Sequence, residues 1–64
     1  MNTYTTIIDN NKNAIGLIRQ AQPGLFTAWW IVGFVGTTNG SADTLAGIKT
    51  FVAANVPGAT FKDN

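Results

Sequence analysis

The sequence predicts an all-α protein of two or three short helices, at about residues 4–20, 24–37 and 42–55, with a fully apolar central helix. Three observations predict this fold class. Apolar residues recur at helical spacing in the outer segments, the middle of the chain is long and uncharged, and turn-forming dipeptides separate the segments. The 64 residues are interpreted as a single small helical domain or subunit with its apolar segment at 24–37.

The first predicted helix depends on the spacing of its apolar side chains. These residues are Tyr4, Ile7, Ile8, Ile15 and Ile18. Spacings of three, four and seven residues are typical of an amphipathic helix. The polar cluster at 10–13 has low helix propensity, so it can split the segment, and Asp9 would then cap the second piece.

The central segment begins after Pro23-Gly24 and contains the apolar run Leu25–Val35. Proline fits the first turn of a helix, so a helix can begin at this point. The residue types Trp, Ile, Val and Phe favour strands. However, apolar and polar residues do not alternate, and the apolar side chains would cover every face of a helix. Such a helix is typical of a protein core or a membrane.

The third segment follows a predicted turn at 37–40, where Asn39-Gly40 is the turn signal. Asn-Gly also marks hairpins. Here Ser41 suits a helix N-cap and Asp43 suits the first helical turn, so a helix is preferred. Its apolar face comprises Leu45, Ile48, Phe51, Val52 and Val56.

The central segment is also a candidate membrane span, because positions 20–42 carry no charged residue. A spanning helix needs about 20 apolar residues, and the almost wholly apolar part here is only Leu25–Gly36. The pair Trp29-Trp30 lies at the centre of the run, whereas tryptophan prefers the membrane interface. Three interpretations stay open: a helix in or on a membrane, a core helix of a soluble domain, and a helix buried in a polymer such as a coat or filament.

The sequence predicts a membrane or membrane-associated location. If the segment spans, Lys12 and Arg19 lie close before it, and the positive-inside rule then favours a cytoplasmic N-terminus.

Composition excludes several ways of stabilising so short a chain. A domain of this size has a marginal core of its own. The chain has no cysteine, histidine or glutamate, which argues against disulfides and a structural zinc site. Only 11% of its residues are charged, compared with about 25% in an ordinary domain. Low charge and a weak core together indicate burial against partners.

The residues needed for catalysis are scarce, so no enzyme, cofactor or metal site is predicted. The favoured general bases histidine and glutamate are missing, and the three aspartates are far apart in sequence. Ser41, the one serine, is explained by capping. Four scattered basic residues do not make a nucleic-acid surface.

The predicted function is a non-catalytic structural or accessory subunit of a larger assembly, such as a membrane complex, virion or filament. Its partners are expected to be a larger protein assembly or further copies of itself, with lipid contact and no nucleic acid. The predicted interaction or burial face comprises Leu25, Phe26, Trp29, Trp30, Ile31, Val32, Gly33, Phe34, Leu45, Ile48, Phe51 and Val52.

Three alternatives are kept. In size and composition the chain resembles leaderless or class II bacteriocins, although its net charge of +1 is low for a membrane-active peptide. It is also similar in size and aromatic content to one-helix photosynthetic subunits, but it lacks the histidine that usually ligates chlorophyll. A soluble module of three small helices is the third alternative.

Overall fold

A computed structural model describes residues 4–33 and 36–63, which form a five-stranded antiparallel sheet and one helix. The elements along the chain are β1 (Tyr4–Ile8), β2 (Ala14–Gln22), β3 (Leu25–Val32), β4 (Gly36–Ala42), α1 (Leu45–Asn55) and β5 (Thr60–Asp63). The strand order is β4-β3-β2-β1-β5. The connection through α1 therefore runs from one edge of the sheet to the other, and the predicted all-α fold is wrong.

The first predicted helix, at 4–20, is instead the hairpin of β1 and β2. Asp9 closes its turn, since its carboxylate accepts hydrogen bonds from the backbone N–H groups of Asn11 and Asn13, each at 2.9 Å. Lys12 adopts a positive φ of 67° in this turn. The polar cluster that interrupts the helical pattern is thus a hairpin turn, and Asp9 caps no helix.

The second hairpin joins β2 and β3 through Pro23 and Gly24, with Gln22 opposite Leu25. Gly24 has a φ of 78°. Proline followed by a residue with positive φ is the arrangement of a type II turn, in which glycine avoids the steric cost of that conformation. Pro23 is therefore the first central residue of a hairpin turn and starts no helix.

The predicted central helix at 24–37 is also wrong, because Leu25–Val32 is strand β3. Its alternate residues Ala28 and Trp30 are buried, whereas Trp29 and Ile31 between and beyond them are exposed. Both faces of the strand carry apolar side chains, so no polar alternation is visible in the sequence. Phe34 and Val35 of the predicted helix lie outside the described residues.

The predicted turn at 37–40 lies inside β4, and Ser41 is a strand residue. The third predicted helix does form, but it begins at Leu45. Its N-cap is Thr44, whose hydroxyl oxygen accepts a hydrogen bond from the Gly47 backbone N–H at 3.0 Å. Ser41 is therefore not the cap.

The core lies between α1 and one face of the sheet. Its buried apolar residues are Ile7, Ile18, Ala28, Trp30, Ile48 and Val52. The ring of Phe51 on α1 meets the Trp30 ring edge to face, with 6.0 Å between ring centroids. Gly40 lies under the Phe51 ring, where a side chain would collide with it. The core therefore combines residues from the sheet with a single helical face.

The helix α1 has 11 residues, and no helix within residues 4–33 and 36–63 is long and apolar enough to cross a bilayer. The predicted transmembrane helix is wrong, since its residues Leu25–Val32 form strand β3. The membrane location and the cytoplasmic N-terminus were predicted from that helix, so both predictions are withdrawn.

Candidate functional site

The sheet has two faces of different character. The helix α1 packs on one of them, and no element of residues 4–33 and 36–63 packs on the other, which we call the open face. Strand register assigns residues to it, because directly opposite residues project from the same face. Its members include Tyr4, Thr6, Ile8, Leu17, Arg19, Thr27, Trp29, Ile31, Thr37, Asn39, Ser41, Thr60 and Lys62.

Trp29 is at the centre of the open face. It lies opposite Leu17 on β2 and opposite Asn39 on β4. On the far side of Leu17, the row continues through Thr6 on β1 to Lys62 on β5. The Trp29 side chain is 45% exposed, and Ile31 beside it on β3 is 51% exposed. A large aromatic side chain therefore stands in the middle of a surface that no described element covers.

The charges on the open face are of one sign. Arg19 and Lys62 are basic, and no aspartate lies on this face among the described residues. Asp63 belongs to the opposite side of β5, because its carboxylate accepts a hydrogen bond of 2.7 Å from the hydroxyl of Thr5, a buried residue. The open face is therefore apolar and hydroxyl-rich, with a weak positive charge.

A shallow depression lies at one end of the core and offers little chemistry. Arg19, Phe26, Leu45 and Asp63 are among the residues that line it. Asp63 is also 3.8 Å from the Lys49 ammonium group, so its carboxylate already has two partners. No group of three potential metal ligands occurs among the residues that the structure describes.

The structure divides the predicted interaction or burial face into three groups. Trp30, Ile48 and Val52 are buried, whereas Phe26 and Leu45 are half-buried against the core. Leu25 is half-buried on the opposite side of β3. The exposed members are Trp29, Ile31, Val32, Gly33 and Phe51. Phe34 lies outside the described residues. Trp29 and Ile31 belong to the open face, and so does Leu25, which alternates with Thr27 and Trp29 along β3.

Sequence reasoning missed Tyr4, Leu17 and Arg19 as neighbours of Trp29. They come from β1 and β2, and only the strand register places them on the same face. One available signal was the run of strand-favouring residues at 29–32, which are tryptophan, isoleucine and valine. If that run is taken as a strand, Trp29 and Trp30 must point to opposite sides.

Comparison with known protein families, curated proteins and solved structures finds no match for this chain.

Proposed function

We propose that this chain is a non-catalytic subunit of a larger assembly and that it binds another protein through the open face. The supporting observation is the exposure of Trp29 at the centre of a sheet face that no described element covers. Tryptophan at the centre of an interface is among the residues that contribute most to binding energy. Contiguous exposed apolar surface is typical of interaction sites.

The composition of the open face indicates the chemistry of the partner. Trp29, Leu17 and Ile31 supply an apolar centre, and threonine hydroxyls surround it. Arg19 adds positive charge with no carboxylate on the same face among the described residues. The complementary surface is therefore apolar at its centre and carries acidic residues at its rim, since complementary charges guide association and exclude wrong partners.

The small core supports the same proposal. A 64-residue chain without cysteine has few means of adding stability by itself. A partner that binds only the folded chain shifts the folding equilibrium toward the native state. Coverage of the open face would therefore stabilise the fold and complete the assembly together.

Site-specific photo-crosslinking in the source cells tests the proposal. A photoreactive amino acid replaces Trp29 on the open face, and in a matched control it replaces Ala46, an exposed residue on α1. We expect one dominant crosslinked protein from position 29 and none from position 46. Equal crosslinking from both positions, or none from position 29, would contradict the proposal.

The captured protein then allows a quantitative test with purified components. Trp29→Thr keeps a strand-forming residue but removes the aromatic ring. We expect Trp29→Thr to raise the Kd at least tenfold. Arg19→Glu should also raise the Kd, and its effect should be larger at low salt than at high salt. Ala46→Thr should leave the Kd unchanged. An unchanged Kd for Trp29→Thr would assign the interaction to another surface.

A further inference from the structure

The two edge strands of the sheet differ in how well they are protected. Natural sheet edges are usually blunted by short length, charged side chains, proline or a bulge. Strand β5 has four residues, and two of them, Lys62 and Asp63, are charged. Strand β4 has seven residues, Gly36–Ala42, with no charge and no proline.

Strand β4 also keeps its pairing with β3 along its whole length. It pairs with β3 from Gly36 to Ala42 without a break in register. Alternate residues of an antiparallel edge strand direct their N–H and C=O groups away from the sheet. The outer side of β4 is therefore a continuous row of backbone donors and acceptors, which is a template for another strand.

We infer that β4 pairs antiparallel with β4 of a second copy of this chain, about a twofold axis that joins the two sheets into one of ten strands. The sequence of β4 suits pairing with itself. With the axis at Asn39, Thr37 lies opposite Ser41 of the second copy and Thr38 lies opposite Gly40. Every pair is small or polar, and no like charges face each other.

An exposed aromatic residue at the same edge supports the choice of a second copy. Phe51 lies on the helix side of Gly40, and 42% of its surface is exposed. A second copy paired along β4 would place its own sheet and helix beside this ring. The twofold axis would bring Phe51 of both copies to the same interface, so one pairing covers the strand edge and the exposed ring together.

The dimer would also enlarge the surface of the proposed function, although the inference itself depends only on β4 and Phe51. From strand spacing and length, the open face of one copy measures roughly 500 Å². An interface of standard size buries about 800 Å² on each partner. Two sheets joined along β4 place both open faces side by side, which provides about twice the area.

Analytical ultracentrifugation of the purified full chain across micromolar to millimolar concentration tests the inference. We expect a species of twice the 6.8 kDa chain mass to form with rising concentration. Asn39→Lys puts two like charges at the axis and should weaken the dimer Kd at least tenfold. The matched control Thr60→Lys adds the same charge to the β5 edge and should leave the Kd within about twofold.

Folding and the route of association are checked separately. Circular dichroism establishes that each variant is folded, and Thr37→Lys replaces Asn39→Lys if the latter does not fold. A wild-type chain that stays monomeric to millimolar concentration would overturn the inference. A dimer that Trp29→Thr abolishes and Asn39→Lys leaves intact would also overturn it, because association would then use the open face. If the chain is monomeric and still binds the partner protein, the proposed function stands and only the dimer is excluded.

Discussion

Trp29 and Trp30 are adjacent in β3 and project from opposite faces of the sheet. Trp30 is buried against α1 with 3% of its surface exposed, whereas Trp29 remains 45% exposed on the open face. The two neighbours therefore have different roles. Trp30 belongs to the core, and Trp29 is the centre of the proposed interaction surface.

This relationship predicts different stabilities for substitutions at the two positions. Trp30→Ala removes a buried ring and should lower the free energy of unfolding by about 3–5 kcal/mol. Trp29→Thr removes a half-exposed ring from a strand and should change it by less than about 1 kcal/mol. Urea unfolding followed by circular dichroism measures both, and equal losses would show that Trp29 also supports the core.

Gly40 is predicted to be required because of Phe51. A Cβ atom at position 40 would lie 2.9 Å from Cδ2 of the Phe51 ring and closer still to Cε2. Gly40→Ala should therefore cost about 1–3 kcal/mol. In a chain that also carries Phe51→Ala the same change should cost much less. A double-mutant cycle by urea unfolding measures this coupling, and equal costs in both backgrounds would contradict it.

Thr44 is predicted to be the residue that begins α1. Its hydroxyl accepts the Gly47 N–H at 3.0 Å, so Thr44→Ala should cost about 1 kcal/mol of unfolding free energy. Ser41→Ala is the matched control and should stay within about 0.5 kcal/mol, because Ser41 is an exposed residue of β4. Thermal unfolding compares them. A larger loss from Ser41→Ala than from Thr44→Ala would show that Ser41, the cap predicted from the sequence, caps the helix.

The β1–β2 turn should depend on the side chain of Asp9. Its carboxylate accepts two backbone N–H groups at 2.9 Å, so Asp9→Ala should cost about 1–2 kcal/mol. Asp9→Asn keeps an acceptor and should cost less. Asp43→Ala, at an exposed residue before α1, serves as the control and should be nearly neutral. Hydrogen exchange should then show faster exchange of the Asn11 and Asn13 amides in Asp9→Ala. Unchanged exchange would contradict this account of the turn.

The helix α1 was predictable because the residue pattern that indicates it lies within one short stretch of the sequence. Ile48 and Val52 are one helical turn apart, and both are buried on the same face. The chain break at Pro23-Gly24 was also predictable, because proline and glycine restrict the backbone wherever they occur. Its use as a hairpin turn depended on β2 and β3 being strands.

The strands were not predictable from spacing alone. Ile7 and Ile18 fit a helical pattern, yet each is buried because its strand pairs with a neighbour and lies beneath α1. Gly16 shows the same dependence. It lies opposite Trp30, and a Cβ atom there would come within 2.7 Å of the Trp30 Cβ. Gly16 and Trp30 are far apart in the sequence, so no local pattern predicts this contact.

The candidate surface divides in the same way. From the sequence, Trp29 and Ile31 were expected to contact other molecules, but their neighbours were assigned to a helix that does not form. By itself, the sequence determined the absence of cysteine and histidine, the low charge, the apolar segment and the helical face of α1. Only the tertiary structure decided that the apolar segment is a strand with one face buried and one exposed. The physical reason is that strand pairing joins residues distant in sequence, so the pairing partners decide which apolar side chains are covered.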